Sequence, residues 1–220
     1  MDIATILGGL LIVGVIVYFL WYPSKHSDDR TVLFADSIPG NTQRTFAGNL
    51  PRAYNQPEGI TYSYAAWILV KDFTKGYGTK RRIFSKGDAP GLYLDSTSNA
   101  LMVAVKTFST TETILIPDIP AMKWIHFALV VNQQAVDIYI NGMLRQHHTL
   151  GQLPQQTDEL VTTGTEWDGV LARVYYYARS LNHVDVKKLV SEPPPDDLER
   201  KPSGPQYFDI TWYIGRLNSS

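Results

Sequence analysis

The sequence predicts an all-β protein, an antiparallel jelly-roll β-sandwich, preceded by one transmembrane α-helix. Three observations carry that expectation. An apolar run, Ile3 to Trp21, opens the chain, and short alternating segments punctuated by Gly, Pro, Asp and Asn follow it. One stretch, Trp124 to Leu144 (WIHFALVVNQQAVDIYINGML), can be read as paired strands residue by residue. The 220 residues divide into an anchor over 1–22, a linker over 23–30, a sandwich over 31–192, and a Pro-rich spacer with a terminal strand or arm over 193–220.

The anchor is argued from length and hydropathy. Ile3 to Trp21 is 19 residues with Thr5 as its one strongly polar side chain. As a helix it extends about 28 Å, against a hydrocarbon core of about 30 Å. Its Leu, Ile, Val and Phe side chains each favour insertion by about 0.3 to 0.6 kcal/mol, and no charge opposes them. Tyr18, Trp21 and Tyr22 form the expected aromatic belt at the membrane interface, and Pro23 ends the helix. Met1-Asp2 is no basic n-region, and the bulky Trp21-Tyr22-Pro23 is no small-residue cleavage site, so the segment reads as retained. Lys25 and Arg30, partly offset by Asp28 and Asp29, follow the span. The positive-inside bias then puts the N-terminus on the luminal side and the C-terminal domain in the cytosol.

The sandwich strands follow in order. TVLFADSIPG reads as a first strand closed by a Pro-Gly turn, and a loop is expected from Asn41 to Gly59. Ile60 to Phe73 alternates Tyr62, Tyr64, Ala66 and Ile68 against Ser63, Ala65, Trp67 and Leu69, which gives a central strand apolar on both faces. RRIFSKG, GLYLDS, ALMVAVKTF and ETILIP come at sandwich-like spacing. Trp124–Val131 and Val136–Ile140 are then two strands joined across Asn132 to Ala135. Asn141-Gly142 supplies the two positive-φ residues of a type I′ turn, which returns Met143 and Leu144 as a third strand. SLNHVDVKKLVSE holds the one short helix, capped by Ser180 or Asn182. Beyond the spacer PPPDDLERKPSGP, Phe208, Ile210, Trp212 and Ile214 alternate against Tyr207, Asp209, Thr211 and Tyr213. This amphipathic strand can fold back or augment the sheet of a docking partner.

Composition narrows the chemistry. A net charge of −1, with Lys80-Arg81-Arg82 the longest basic block and read as a solvated strand end, excludes a nucleic-acid footprint. There is no cysteine, hence no disulfide, thiolate site or cysteine nucleophile. His147 and His148 are strand neighbours facing opposite ways and do not converge on a metal. Tyr175, Tyr176 and Tyr177 ensure that some ring faces away from the core, and Tyr176 is the candidate platform for a glycan.

The YSYAAWI strand, IFSKGD with GLYL, KWIHFALVV with VDIYINGML, and the closing WDGVLARVYYYARSL together resemble the laminin G-like branch of the concanavalin A-like lectin/glucanase superfamily, over about residues 31 to 192. Glucanases of that superfamily use two carboxylates on one strand, commonly Glu-x-Asp-x-x-Glu. No such run is present, and the matching strands carry isolated Asp137 and Asp168, so no enzyme activity is expected. Lectin relatives often hold Ca²⁺. Asp88 and Asp168 are the candidates here, though with Asp95 and Asn99 they form no contiguous ligand loop, and no cofactor is expected. The domain order also resembles small virion membrane proteins of nucleocytoplasmic large DNA viruses. That resemblance implies a minor virion component whose sandwich links an internal membrane to the capsid shell. A membrane-tethered lectin for surface glycans is the alternative.

Overall fold

The computed structural model describes residues 30–51 and 60–195. The anchor with Tyr18, Trp21 and Tyr22, and the arm with Phe208, Ile210, Trp212 and Ile214, lie outside the described residues. Among the described residues no helix is long and apolar enough to cross a membrane.

Thirteen strands form two antiparallel sheets. The larger contains, in spatial order, β1 (Arg30–Phe34), β13 (Asp168–Tyr177), β4 (Thr61–Asp72), β9 (Trp124–Asn132), β10 (Ala135–Ile140) and β11 (Met143–Thr149), with β2 (Ile38–Pro39) also on β13. The smaller runs β3 (Thr45–Phe46), β12 (Val161–Thr163), β5 (Arg81–Ser85), β6 (Gly91–Leu94), β7 (Leu101–Lys106) and β8 (Thr111–Ile116).

The hairpins form where the alternation places them. Asn141 (φ 51°) and Gly142 (φ 79°) make the expected turn between β10 and β11. The β9–β10 turn is tighter than expected, only Gln133 and Gln134, and β11 continues to Thr149. Two strands depart from the sequence reading: β3 lies inside the expected Asn41–Gly59 loop, and β12 is unforeseen. Both are too short for a periodic signal, and the Thr163 hydroxyl holds them together. It accepts from the Arg44 N–H at 2.8 Å and donates to the Thr42 carbonyl at 3.1 Å. The basic triplet also departs, because Arg81 is fully buried and not a solvated strand end.

The core lies between the sheets. Tyr62, Tyr64, Ala66 and Ile68 of β4 and Ile125, Phe127, Leu129 and Val131 of β9 face Ile83, Leu92, Leu94, Val103 and Ile114 of the smaller sheet. The opposite face of the larger sheet is also covered. Helix α1 (His183–Ser191) lays Val186 and Leu189 over Ala65, Ala128, Val130, Tyr139 and Tyr177. Asn182, not Ser180, caps α1: its side chain accepts from the Asp185 N–H at 2.9 Å, and the Asp185 carboxylate takes the Asn182 N–H at 3.2 Å. Asn182→Ala should therefore lower unfolding free energy by about 1 kcal/mol, as read by urea denaturation.

In β13 a bulge at Arg173 (φ 48°) resets which residues face inward. Leu171 is in the core before it, and Val174, Tyr176 and Ala178 after it, while Tyr175 and Tyr177 turn outward under α1. The start of β1, the start of β4, the end of β13 and the β9–β10 turn share one end of the larger sheet. We call this the near end, since the chain joins the sandwich there at Arg30.

Candidate functional site

A cavity of about 400 Å³ opens at the near end, within the ordinary range for small-ligand sites. Its floor comes from β4 and β13: Tyr62 and Tyr64 from one strand and Tyr176 from the other. The registers pair Tyr64 with Tyr176 across the strands, and their rings lie 5.1 Å apart. The walls are Phe46 to Pro51 after β3, Lys86 and Ala89 in the β5–β6 turn, and Gln156 to Val161 leading into β12.

The tyrosine hydroxyls set the polar character of the floor. Tyr176 donates to the Pro51 carbonyl at 2.8 Å. Tyr62 is 2% exposed, and its hydroxyl, closed off from solvent, has no partner among the described residues. Burial, with Tyr176 nearby, pushes the Tyr62 hydroxyl far above its ordinary pKa, and burial alone lifts Tyr176 to about 12. Both are neutral hydroxyls throughout the physiological range. A buried hydroxyl without a partner costs about 1 to 3 kcal/mol, so this position is unfavourable unless something bonds to it.

The mouth is charged. Lys86 Nζ donates to the Thr157 carbonyl, and Thr157 Oγ1 returns a bond to the Lys86 carbonyl at 3.0 Å, so the β5–β6 turn and the loop before β12 are locked together. The Glu159 side chain packs against Gly87, which at φ +59° and with Glu159 2.6 Å from any added Cβ cannot be replaced without a shift. Asp158 and Glu159 are exposed, whereas a glycosidase general acid needs burial to raise its pKa.

The residues singled out in the sequence fall differently. Tyr176 is not an outward platform: the Arg173 bulge turns it inward, and it contributes to the site as floor. Asp88 and Asp168 do not come together. The Asp88 carboxylate takes the Tyr93 hydroxyl in the smaller sheet, whereas Asp168 lies opposite Asp72 in the larger. Asp168 lines a separate cavity of about 230 Å³ beside Lys71 and Lys75, whose charge disfavours a cation. Among the described residues no group of three or more His, Asp or Glu side chains could hold a metal ion. His147 and His148 part as expected, His147 to Asp137 at 2.5 Å and His148 to Glu112 at 2.9 Å. The sequence reading missed Tyr62, Lys86 and Glu159 as site residues. The inward alternation of Tyr62 was visible, but its lack of a partner was not.

No curated protein matches the chain. Among solved structures, the binding domain of Paraclostridial Mosquitocidal Protein 1 aligns at 16% identity and a TM-score of 0.57, over 74% of this chain and 45% of that one. The binding domain of botulinum neurotoxin serotype D aligns at 12% and 0.55, over 74% and 41%. A structure of botulinum neurotoxin type C, which interacts with two ganglioside molecules, aligns at 18% and 0.51, over 60% and 35%. The chain thus spans less than half of each, and these likenesses are of fold. The model of the concanavalin A-like lectin/glucanases superfamily, of laminin G type, matches residues 40–187, and the chain belongs to that superfamily.

Proposed function

We propose that this chain is a non-enzymatic, membrane-tethered binding module that holds a glycan in the near-end cavity. The observation that carries the reading is the Tyr62 hydroxyl, fully buried on the cavity floor and without a partner among the described residues. A sugar that displaces the residues covering Tyr62 supplies the missing bond to its hydroxyl and lays a C–H face on the tyrosine rings. Asn49, Gln156, Asp158 and Glu159 add polar groups at the mouth. The likeness of fold to toxin binding domains, one of them a ganglioside binder, supports the ligand class. The test is the full chain in lipid nanodiscs on a glycan array. A defined set of saccharides should be retained, equally with and without EDTA because no Ca²⁺ is needed. Retention of none, or loss in EDTA, contradicts the reading.

A second reading is structural: a minor virion component joining an internal membrane to the capsid shell. It is favoured by β11, which among the described residues forms the edge of the larger sheet with Met143 and Leu144 exposed. In that role the arm with Phe208, Ile210, Trp212 and Ile214 would augment a partner's sheet. Surface glycan recognition and an internal capsid contact require the sandwich on opposite sides of the membrane, so protease protection in microsomes separates them.

A further inference from the structure

Apolar side chains exposed at loop tips require a reason. Three lie at the near end: Phe108 in the β7–β8 turn is 72% exposed, Leu160 in the cavity wall 48%, and Leu153 37%. The Phe108 N–H donates to the Leu153 carbonyl at 3.2 Å, and the Gln155 N–H to the Lys106 carbonyl at 2.7 Å. The backbone at Leu153 and Gln155 is thereby tied to the β7–β8 turn and the end of β7.

The far end also exposes apolar groups, Tyr77 and Met122 among them, beside the exposed Lys71, Lys75, Lys80 and Lys123, so exposure and charge alone do not choose between the ends. What separates the two ends is where the chain comes in. Arg30 pairs with Tyr177 at the near end, and Pro23 to Asp29 are all that separates it from Tyr22. Seven extended residues reach at most about 25 Å. The twelve-residue β4, spanning the sandwich, is about 40 Å long. With the far end down, Arg30 would stand about 40 Å above the bilayer, beyond the reach of that linker. With the near end down, the linker is long enough.

We propose that the near end, with Phe108, Leu153 and Leu160, rests on the lipid surface in which the chain's own N-terminal segment is inserted. This inference rests on residues 1–22 being an anchor and deepens the glycan reading. The cavity mouth then faces the membrane, and its ligand is a headgroup sugar of that membrane. Apolar tips that enter the interface lose water-exposed area, while Asp158 and Glu159 at the mouth remain among hydrated headgroups.

The absence of cysteine makes the test direct. Phe108→Cys, and separately Leu160→Cys and Tyr77→Cys, are introduced into the full chain, labelled with an environment-sensitive fluorophore, and reconstituted into phosphatidylcholine vesicles containing nitroxide-labelled lipid. Flotation reports the anchor, and quenching reports which end touches lipid. The expected result is a floating chain whose label at 108 or 160 shifts to the blue and loses most of its emission to the nitroxide, while the label at 77 is unaffected. Quenching at 77 alone, or at none of the three, in a floating chain overturns the inference while leaving the anchor intact. A chain that does not float overturns the anchor, and this inference with it. Whether the cavity binds sugar is read separately on the array.

Discussion

Arg81→Met should lower the unfolding free energy by about 3 kcal/mol or more. Arg81 is 0% exposed, yet it is charged, and among the described residues its guanidinium bonds only to backbone oxygens. It donates to the Phe73 carbonyl at 2.5 Å, to the Lys75 carbonyl at 2.9 Å and to the Asp95 carbonyl. Those carbonyls belong to the β4–β5 turn and the loop after β6, so one side chain closes the far end between the sheets. Methionine fills similar volume but removes a charged donor from three part-buried carbonyls, and a hydrogen bond to a charged group contributes about 1.5 to 3 kcal/mol. Arg81→Lys should recover part of the loss, because a compact ammonium lacks the planar fork that reaches several carbonyls at once. Urea denaturation of the two variants beside the parent chain reads both effects.

Acid should destabilise the fold through His126. It lies in β9 on the face beneath the chain that follows α1, with its ring edge against Trp67 at 5.2 Å and its Nδ1 without a partner among the described residues. Burial lowers its pKa to about 4 from the ordinary 6.5. The sign follows from proton uptake: between those values the unfolded chain binds a proton that the folded chain refuses. The stability held above pH 6.5 is therefore lost as pH falls toward 4. A gap of roughly 2.5 pH units at about 1.36 kcal/mol each is about 3 kcal/mol. His126→Phe keeps the contact with Trp67 and has nothing to titrate, so its stability should decline less over that window by about this amount. Equal slopes for the two chains would show that His126 is not what senses acid. Trp67 Nε1 also donates to the Glu192 carbonyl at 3.1 Å, and the Glu192 carboxylate pairs with Arg30 at 3.1 Å. Protonating His126 thus loosens the cover that holds the two ends of the described chain together.

The parts of this fold that could be read in advance are those whose signal is local. The β-branched and aromatic runs of β4 and β9, the alternation in β10 and the Asn141-Gly142 turn each declare themselves within a few residues, because a central strand is apolar on both faces, a strand with one buried face must alternate, and a type I′ turn must have positive φ. The two-residue β3 and three-residue β12 carry no period, and tertiary hydrogen bonds to Thr163 decide them. The inward turn of Tyr176 hangs on a bulge at Arg173, a residue type that does not announce a positive φ. The burial of Arg81 within a basic triplet is settled by three carbonyls, two from the turn before it and one from the loop after β6. The cavity was least legible, since Tyr62, Lys86, Glu159 and Tyr176 come from four segments that only the paired sheets bring together.

The most direct measurement of the central claim is calorimetric titration of the full chain with the saccharide best retained on the array, before and after Tyr62→Phe. Removing one hydroxyl that bonds the ligand should weaken binding about tenfold, while an orphan buried group is lost and stability is unchanged or higher. Unchanged affinity would contradict the assignment of this cavity as the binding site.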